Sequence, residues 1–131
     1  MTKETFPQIV QTVLDTSDPR QLAEFYRQMF GLAYRPGDET PPAGQADERG
    51  QDWLVLRTQA GGRALAFQKV DDPTPGKVRV HVDFSTSDVE AEVKRLVGLG
   101  ATETGRHNFG DFAWVVLADP DGNAFCVAPT S

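Results

Sequence analysis

Cysteine is nearly missing from this chain: Cys126 is the only one among 131 residues. An intrachain disulfide is therefore excluded, and so is a zinc motif of the CxxC type, which leaves the hydrophobic core to hold the fold. Long apolar runs are missing too. No stretch approaches the ~18 residues that cross a bilayer, and the opening MTKETFPQ is too polar for a secretory signal. The expectation is a cytoplasmic protein with no membrane partner. Basic charge is scarce, with 13 Lys and Arg against 19 Asp and Glu and a net charge of −6. The basic residues are also scattered, so the clustered phosphate contacts that nucleic acid requires are not provided. The rest, 39% hydrophobic and 24% charged, is the profile of a folded globular chain whose length suits one domain.

What the chain does contain is a repeat. Residues 9–14 form a short apolar and β-branched run, which predicts a strand. Asp18 then stands where a helix N-cap belongs, with Pro19 at the first helical position and Gln21 in the place of a capping-box partner. Leu22, Phe25, Tyr26 and Phe30 follow at helical spacing, and Gly31 is a natural stop. The second half repeats the grammar. Val78, Val80, Val82 and Phe84 alternate with polar residues, as a half-buried strand requires. Ser87 and Glu90 make an S-x-x-E capping box; Val89, Val93, Leu96 and Val97 line a helix face; Gly98 and Gly100 end it. Asp18 matches Asp88 at an offset of 70, and Gly31 matches Gly100 at 69.

Each unit continues with three strand candidates, at 32–34, 52–58 and 63–70 in the first and 102–107, 112–117 and 124–128 in the second. Residues 1–131 thus read as a single α+β domain of two βαβββ units, about 8–70 and 78–128, joined by the turn-rich linker 71–77. One segment breaks the symmetry. Residues 35–51 are polar, rich in Pro and Gly and without periodicity, so they read either as a disordered surface loop or as a functional lid.

The motif DPRQLAEFY (18–26) after the first strand and DPDGNAFCV (119–127) at the last one, set in this repeat, resemble the vicinal oxygen chelate superfamily. That group comprises glyoxalases, bleomycin-resistance proteins and extradiol dioxygenases, and the likeness is greatest to its small glyoxalase-like branch. The resemblance covers about residues 8–128. It implies mixed sheets that curl into a cup-shaped, half-open barrel with the helices outside and a small-molecule site within. It also implies metal ligands on the first and last strands of each unit, which map onto Gln11 and His81 and onto Gln68 and Cys126. Those last two replace the family's carboxylates, so a glyoxalase I type of isomerisation is not expected.

The residues themselves allow a narrower chemistry. Asp83 lies two residues after His81, so both side chains leave the strand on one face. The pair could supply a base, or a carboxylate for a metal set of His81, Asp83 and Cys126; a His beside an Asp on a strand is more often a hydrogen-bonded structural pair. Cys126 is small enough to be core packing. Trp53 and Trp114 lie in strand candidates, where they either stack a flat ligand or fill core. His107 reads as a surface or rim residue, and residues 119–123 as a tight turn.

The expected function is binding of a small organic molecule in the cup without the family's full metal site, using Gln11, Gln68, His81, Asp83, Cys126, Trp53 and Trp114. The alternative is a metal-dependent lyase, isomerase or dioxygenase-like enzyme with the altered ligand set His81, Asp83 and Cys126, in which His81 and Asp83 are the catalytic candidates. No cofactor or metal is expected in the first reading. A homodimer is expected in both, because half-barrels leave strand edges open.

Overall fold

The computed structural model describes residues 10–73 and 81–130. The elements run β1 (Thr12–Thr16), α1 (Pro19–Phe30), β2 (Ala33–Tyr34), β3 (Trp53–Arg57), β4 (Arg63–Lys69), β5 (Val82–Thr86), α2 (Val89–Leu99), β6 (Thr102–Phe109), β7 (Phe112–Ala118) and β8 (Ala124–Pro129). They form two mixed four-stranded sheets, ordered β1-β4-β3-β2 and β5-β8-β7-β6. In each, the first strand runs parallel to the last, and the remaining pairs are antiparallel. This is the expected βαβββ pair. The expected strand starts at residues 9 and 78 lie outside the described residues.

Both helices are capped by the same tripeptide, Thr-Ser-Asp, at 16–18 and again at 86–88. The Thr hydroxyl accepts from the Asp backbone N–H, and the Asp carboxylate accepts from the N–H three residues on, at Gln21 and Ala91. Two orphan donors per helix are satisfied in this way. The expected S-x-x-E box at Ser87 and Glu90 is therefore corrected. Asp88 is the cap, and Glu90 is turned outward to Arg106. At the other helix Gln21 contributes its backbone N–H to the Asp18 carboxylate, while Thr16 takes the Asp18 N–H that a capping box would offer.

The two units share one core. Leu22, Phe25, Tyr26 and Met29 of α1 pack with Leu54, Leu56 and Phe67 of the first sheet and with Val115, Leu117, Phe125 and Val127 of the second. Phe25 lies 6.3 Å from Phe125, Phe30 lies 4.7 Å from Phe84, and Tyr26 lies 6.0 Å from Phe67. So α1 is held between the sheets. Arg95 of α2 donates to the backbone carbonyls of Gln28 and Met29, which joins the helices. Val97 is half exposed and leaves the face assigned to it. The sheets do not close into a barrel within the chain, because the helix layer they share lies between them.

The junction also unites the two quoted motifs. The Tyr26 hydroxyl donates to Asp119 Oδ2 at 2.7 Å, and Asp119 accepts further from the N–H groups of Asp121 and Asn123 and from the Asn123 amide. Residues 119–123 do form a tight turn, with Gly122 at φ +87°. They are more than a turn: a carboxylate with four donors joins the last strand of one unit to the helix of the other.

Candidate functional site

Alternation along β5 and β8 sends Phe84, Phe125 and Val127 into the core and leaves the intervening residues on the opposite face. Asp83 stands opposite Cys126 across the parallel pair, and His81 precedes Asp83 by two residues. His81 Nε2 is 3.4 Å from Asp83 Oδ1. One ligand atom from each of His81, Asp83 and Cys126 lies within 4.8 Å of the others, the one such group among the described residues. The His81 and Asp83 side chains are 58% and 74% exposed, and Cys126 is half-buried. Burial, and then the Asp83 carboxylate, push the Cys126 thiol above its usual pKa. At neutral pH the group is a thiol rather than a nucleophilic thiolate.

Beside the cluster, much of this face is apolar. Val116 lies opposite Cys126, and Ala118 opposite Ala124. On β6, Gly105 and His107 stand opposite Val116 and Trp114. The His107 ring stacks on Trp114 at 5.4 Å and 27°, and Phe112 lies 5.8 Å from the same indole. Phe109 pairs with Phe112 at the hairpin end and is 83% exposed. His107 is exposed, as expected of a surface or rim residue, and it is also part of an aromatic wall. Neither Phe109 nor Phe112 was identified as a site residue. The signal for them is the Gly110-Asp111 turn, with Gly110 at φ +62°, between alternating aromatics.

The first sheet repeats Trp114 and Val116 as Trp53 and Val55 but lacks the donors. With β1 and β5 matched at the offset of 70, Val13 takes the place of Asp83. Ala66 takes that of Cys126, because Val13 pairs with Ala66 as Asp83 pairs with Cys126. The mapping of Gln68 onto the Cys126 position is therefore corrected. Gln68 lies two residues further on, opposite Asp15 and Trp53, and is exposed. The parallel register fixes this correspondence, and the last strands carry no motif from which to count it. Gln11 precedes β1, and its Oε1 is buried with no hydrogen-bond partner among the described residues. Gln11, Gln68 and half-buried Trp53 belong to the first sheet, so within one chain they do not converge with His81, Asp83, Cys126 and Trp114 on the second.

Residues 35–51 are folded onto the first unit. Asp38 is fully buried: it accepts from the Val55 N–H at 2.9 Å and from Arg49 at 2.7 Å, and it pairs with Arg35. Asp47 accepts from Arg20 Nε and Nη2 at 2.7 and 2.8 Å, and that guanidinium holds the Asp47 carboxyl below the usual range. Gly50 is required beside it, since any side chain there would collide with the Asp47 carboxylate. The disordered-loop reading is corrected by these two clasps. A shallow depression of about 610 Å³ lies on the outer side of this unit, lined by Glu24, Arg27 and Tyr34 among others. It is away from the His81 cluster. Tyr34 donates to Glu24 there, and burial, with Glu24, pushes its phenol up to about 12.

Two βαβββ units with candidate donors on the first and last strands define a protein of the vicinal oxygen chelate class. The sequence profile of the glyoxalase-like domain matches residues 11–128, and the chain belongs to that family. Among solved structures, a glyoxalase/bleomycin resistance protein/dioxygenase family enzyme from Burkholderia phytofirmans PsJN is similar at 18% identity with a TM-score of 0.68, covering 93% of this chain and 98% of its own. FosX, a fosfomycin resistance protein from Listeria monocytogenes, superposes at 13% identity and TM-score 0.69 over 97% of this chain and 96% of its own. TnmS3, an antibiotic binding protein from Streptomyces sp. CB03234, does so at 20% and 0.63 over 98% and 100%. No sequence match is found among curated proteins. Among the described residues, no helix is long and apolar enough to cross a membrane.

Proposed function

We propose that this protein binds a small, flat, partly aromatic molecule on the face of its second sheet. The carrying observation is the composition of that face. A polar corner of His81, Asp83 and Cys126 lies across Val116 and Gly105 from a wall of Trp114, His107 and Phe112. Apolar surface with a few convergent polar groups is the usual make-up of a small-molecule site, and ring faces prefer offset stacking on a flat guest. TnmS3, described as an antibiotic binding protein, is an example of capture on this fold. The runner-up is a lyase, isomerase or dioxygenase-like enzyme, for which the His81–Asp83 contact supplies a base.

The proposal includes a homodimer in the cytoplasm. Each sheet leaves its first strand, β1 or β5, at an open edge, and Val13 and Val82 there are 43% and 42% exposed. Pairing the first sheet of one copy with the second sheet of another covers those edges. It also brings Gln11, Gln68 and Trp53 to the far side of the same cup. Light scattering at micromolar concentration should give twice the chain mass. Calorimetry with a naphthol as probe should show binding that Trp114→Leu weakens by about 1 kcal/mol, the worth of one aromatic contact. A monomer mass, or binding indifferent to Trp114, overturns the reading.

A further inference from the structure

On the first sheet, the metal centre that the family resemblance implies keeps only the neutral amide of Gln11 as a donor at the equivalent positions. Val13 and Ala66 occupy the positions equivalent to Asp83 and Cys126 and carry no donor atoms. The second sheet offers three donors on its own, and their chemistry is of another kind. We propose that His81, Asp83 and Cys126 form a three-ligand site for a thiophilic divalent cation, zinc foremost, with a fourth position left open on the cup side.

The three residues are placed by backbone rather than by one another. Asp83 and Cys126 are register partners on adjacent parallel strands, and His81 follows the same face one alternation away. Their ligand atoms already lie within 4.8 Å. A tetrahedral zinc with bonds of about 2.0–2.3 Å places its donors roughly 3–4 Å apart. His81 and Asp83 are more than half exposed, so their side chains have room for the small rotation that closes this gap. One imidazole, one carboxylate and one thiolate match the donor preferences of zinc. Magnesium and manganese call for several oxygens, and the cluster holds a single carboxylate.

Binding replaces the Cys126 S–H bond with a sulfur–metal bond and releases one proton to solvent, so affinity rises with pH. The missing carboxylates led to the expectation of no metal from sequence. That expectation covered zinc too, with His81, Asp83 and Cys126 as the fallback set; the proximity of all three donor atoms favours the fallback. All three side chains leave the sheet away from the core, so the fold does not depend on them.

The single cysteine makes the test clean. Reduced protein is titrated with Co²⁺ alone under argon. The expected result is one ion per chain, a sulfur-to-cobalt charge-transfer band in the near ultraviolet, and loss of both signals when one equivalent of Zn²⁺ is added. Only Cys126 can give that band. Cys126→Ser should abolish it and lower zinc affinity by about tenfold or more, the loss of one of three ligands, while the thermal midpoint stays unchanged. Cys126→Glu should shift preference from zinc toward manganese. The proposal is overturned if wild-type protein gives no charge-transfer band, if half an ion per chain reveals a bridge between two copies, or if Cys126→Ser keeps full zinc affinity. The probe is the metal alone, so a negative result here leaves the naphthol experiment to stand or fall separately.

Discussion

Equivalent places on the two sheets hold Val13 and Asp83, and Ala66 and Cys126. The backbone is repeated, with Trp53 and Val55 matching Trp114 and Val116, and the donors are not. In the first unit, Ala66 and Val55 are fully buried, and the charged residues nearby are consumed by the clasps at Asp38 and Asp47. In the second unit the same face holds a donor cluster and exposed aromatic rings. Two aspartates make the contrast plain. Asp38 has no exposed surface and three partners, whereas the Asp83 side chain is 74% exposed with only His81 as an ion-pair contact among the described residues. A carboxylate is structural in one unit and available in the other. The difference lies in what surrounds it.

That comparison can be broken most easily at Asp38. Asp38→Ala leaves the Val55 N–H without an acceptor and strands two guanidiniums. Urea unfolding should show a loss of about 3 kcal/mol, at the low end for a buried pair because Arg49 still reaches water. A loss below a third of that would mean that residues 35–51 do not depend on the clasp. Next in size is the junction between the units. Tyr26→Phe removes one of four donors to buried Asp119, and the same measurement should give about 1.5 kcal/mol.

A smaller effect is expected from the second clasp, and pH reveals it. Asp47 titrates below its unfolded value, so its stabilisation is present above about pH 4 and fades as pH falls through the folded value. Wild type should therefore exceed Asp47→Asn by up to about 1 kcal/mol at pH 6, with the gap closing toward pH 3. A gap that stays constant would assign the effect to something other than ionisation. The smallest change belongs to Asp83. Asp83→Ala should move stability by less than about 0.5 kcal/mol, as for an exposed surface position. A loss of several kcal/mol would make the His81–Asp83 pair structural and erase the contrast between the units.

The repeat was readable because it rests on local signals: two capped helices, period-two strands and glycine stops. Even so, the duplicated Thr-Ser-Asp went unused, although it marks both caps more accurately than the S-x-x-E box does. His81 and Asp83 were found because one strand carries both at a spacing of two. Cys126 was found because it sits just after a recognisable turn. Gln68 was misplaced since nothing local tells which residue of a last strand lies beside the first; that depends on pairing across 53 residues, from Asp15 to Gln68. The clasps were illegible for the same reason. Arg20 meets Asp47 at a separation of 27, and Val55 meets Asp38 at 17, through a segment with no periodicity to announce it.

The shared core has a consequence for how the two units communicate. Since α1 packs on both sheets, the two halves are expected to unfold together, as one cooperative block. Free energy gained anywhere in such a block is held in common. A guest or an ion on the second sheet raises the midpoint of the whole domain by mass action, and it thereby suppresses opening of the Asp38 clasp, which it never touches. Amide exchange at Val55 would report occupancy of the opposite unit.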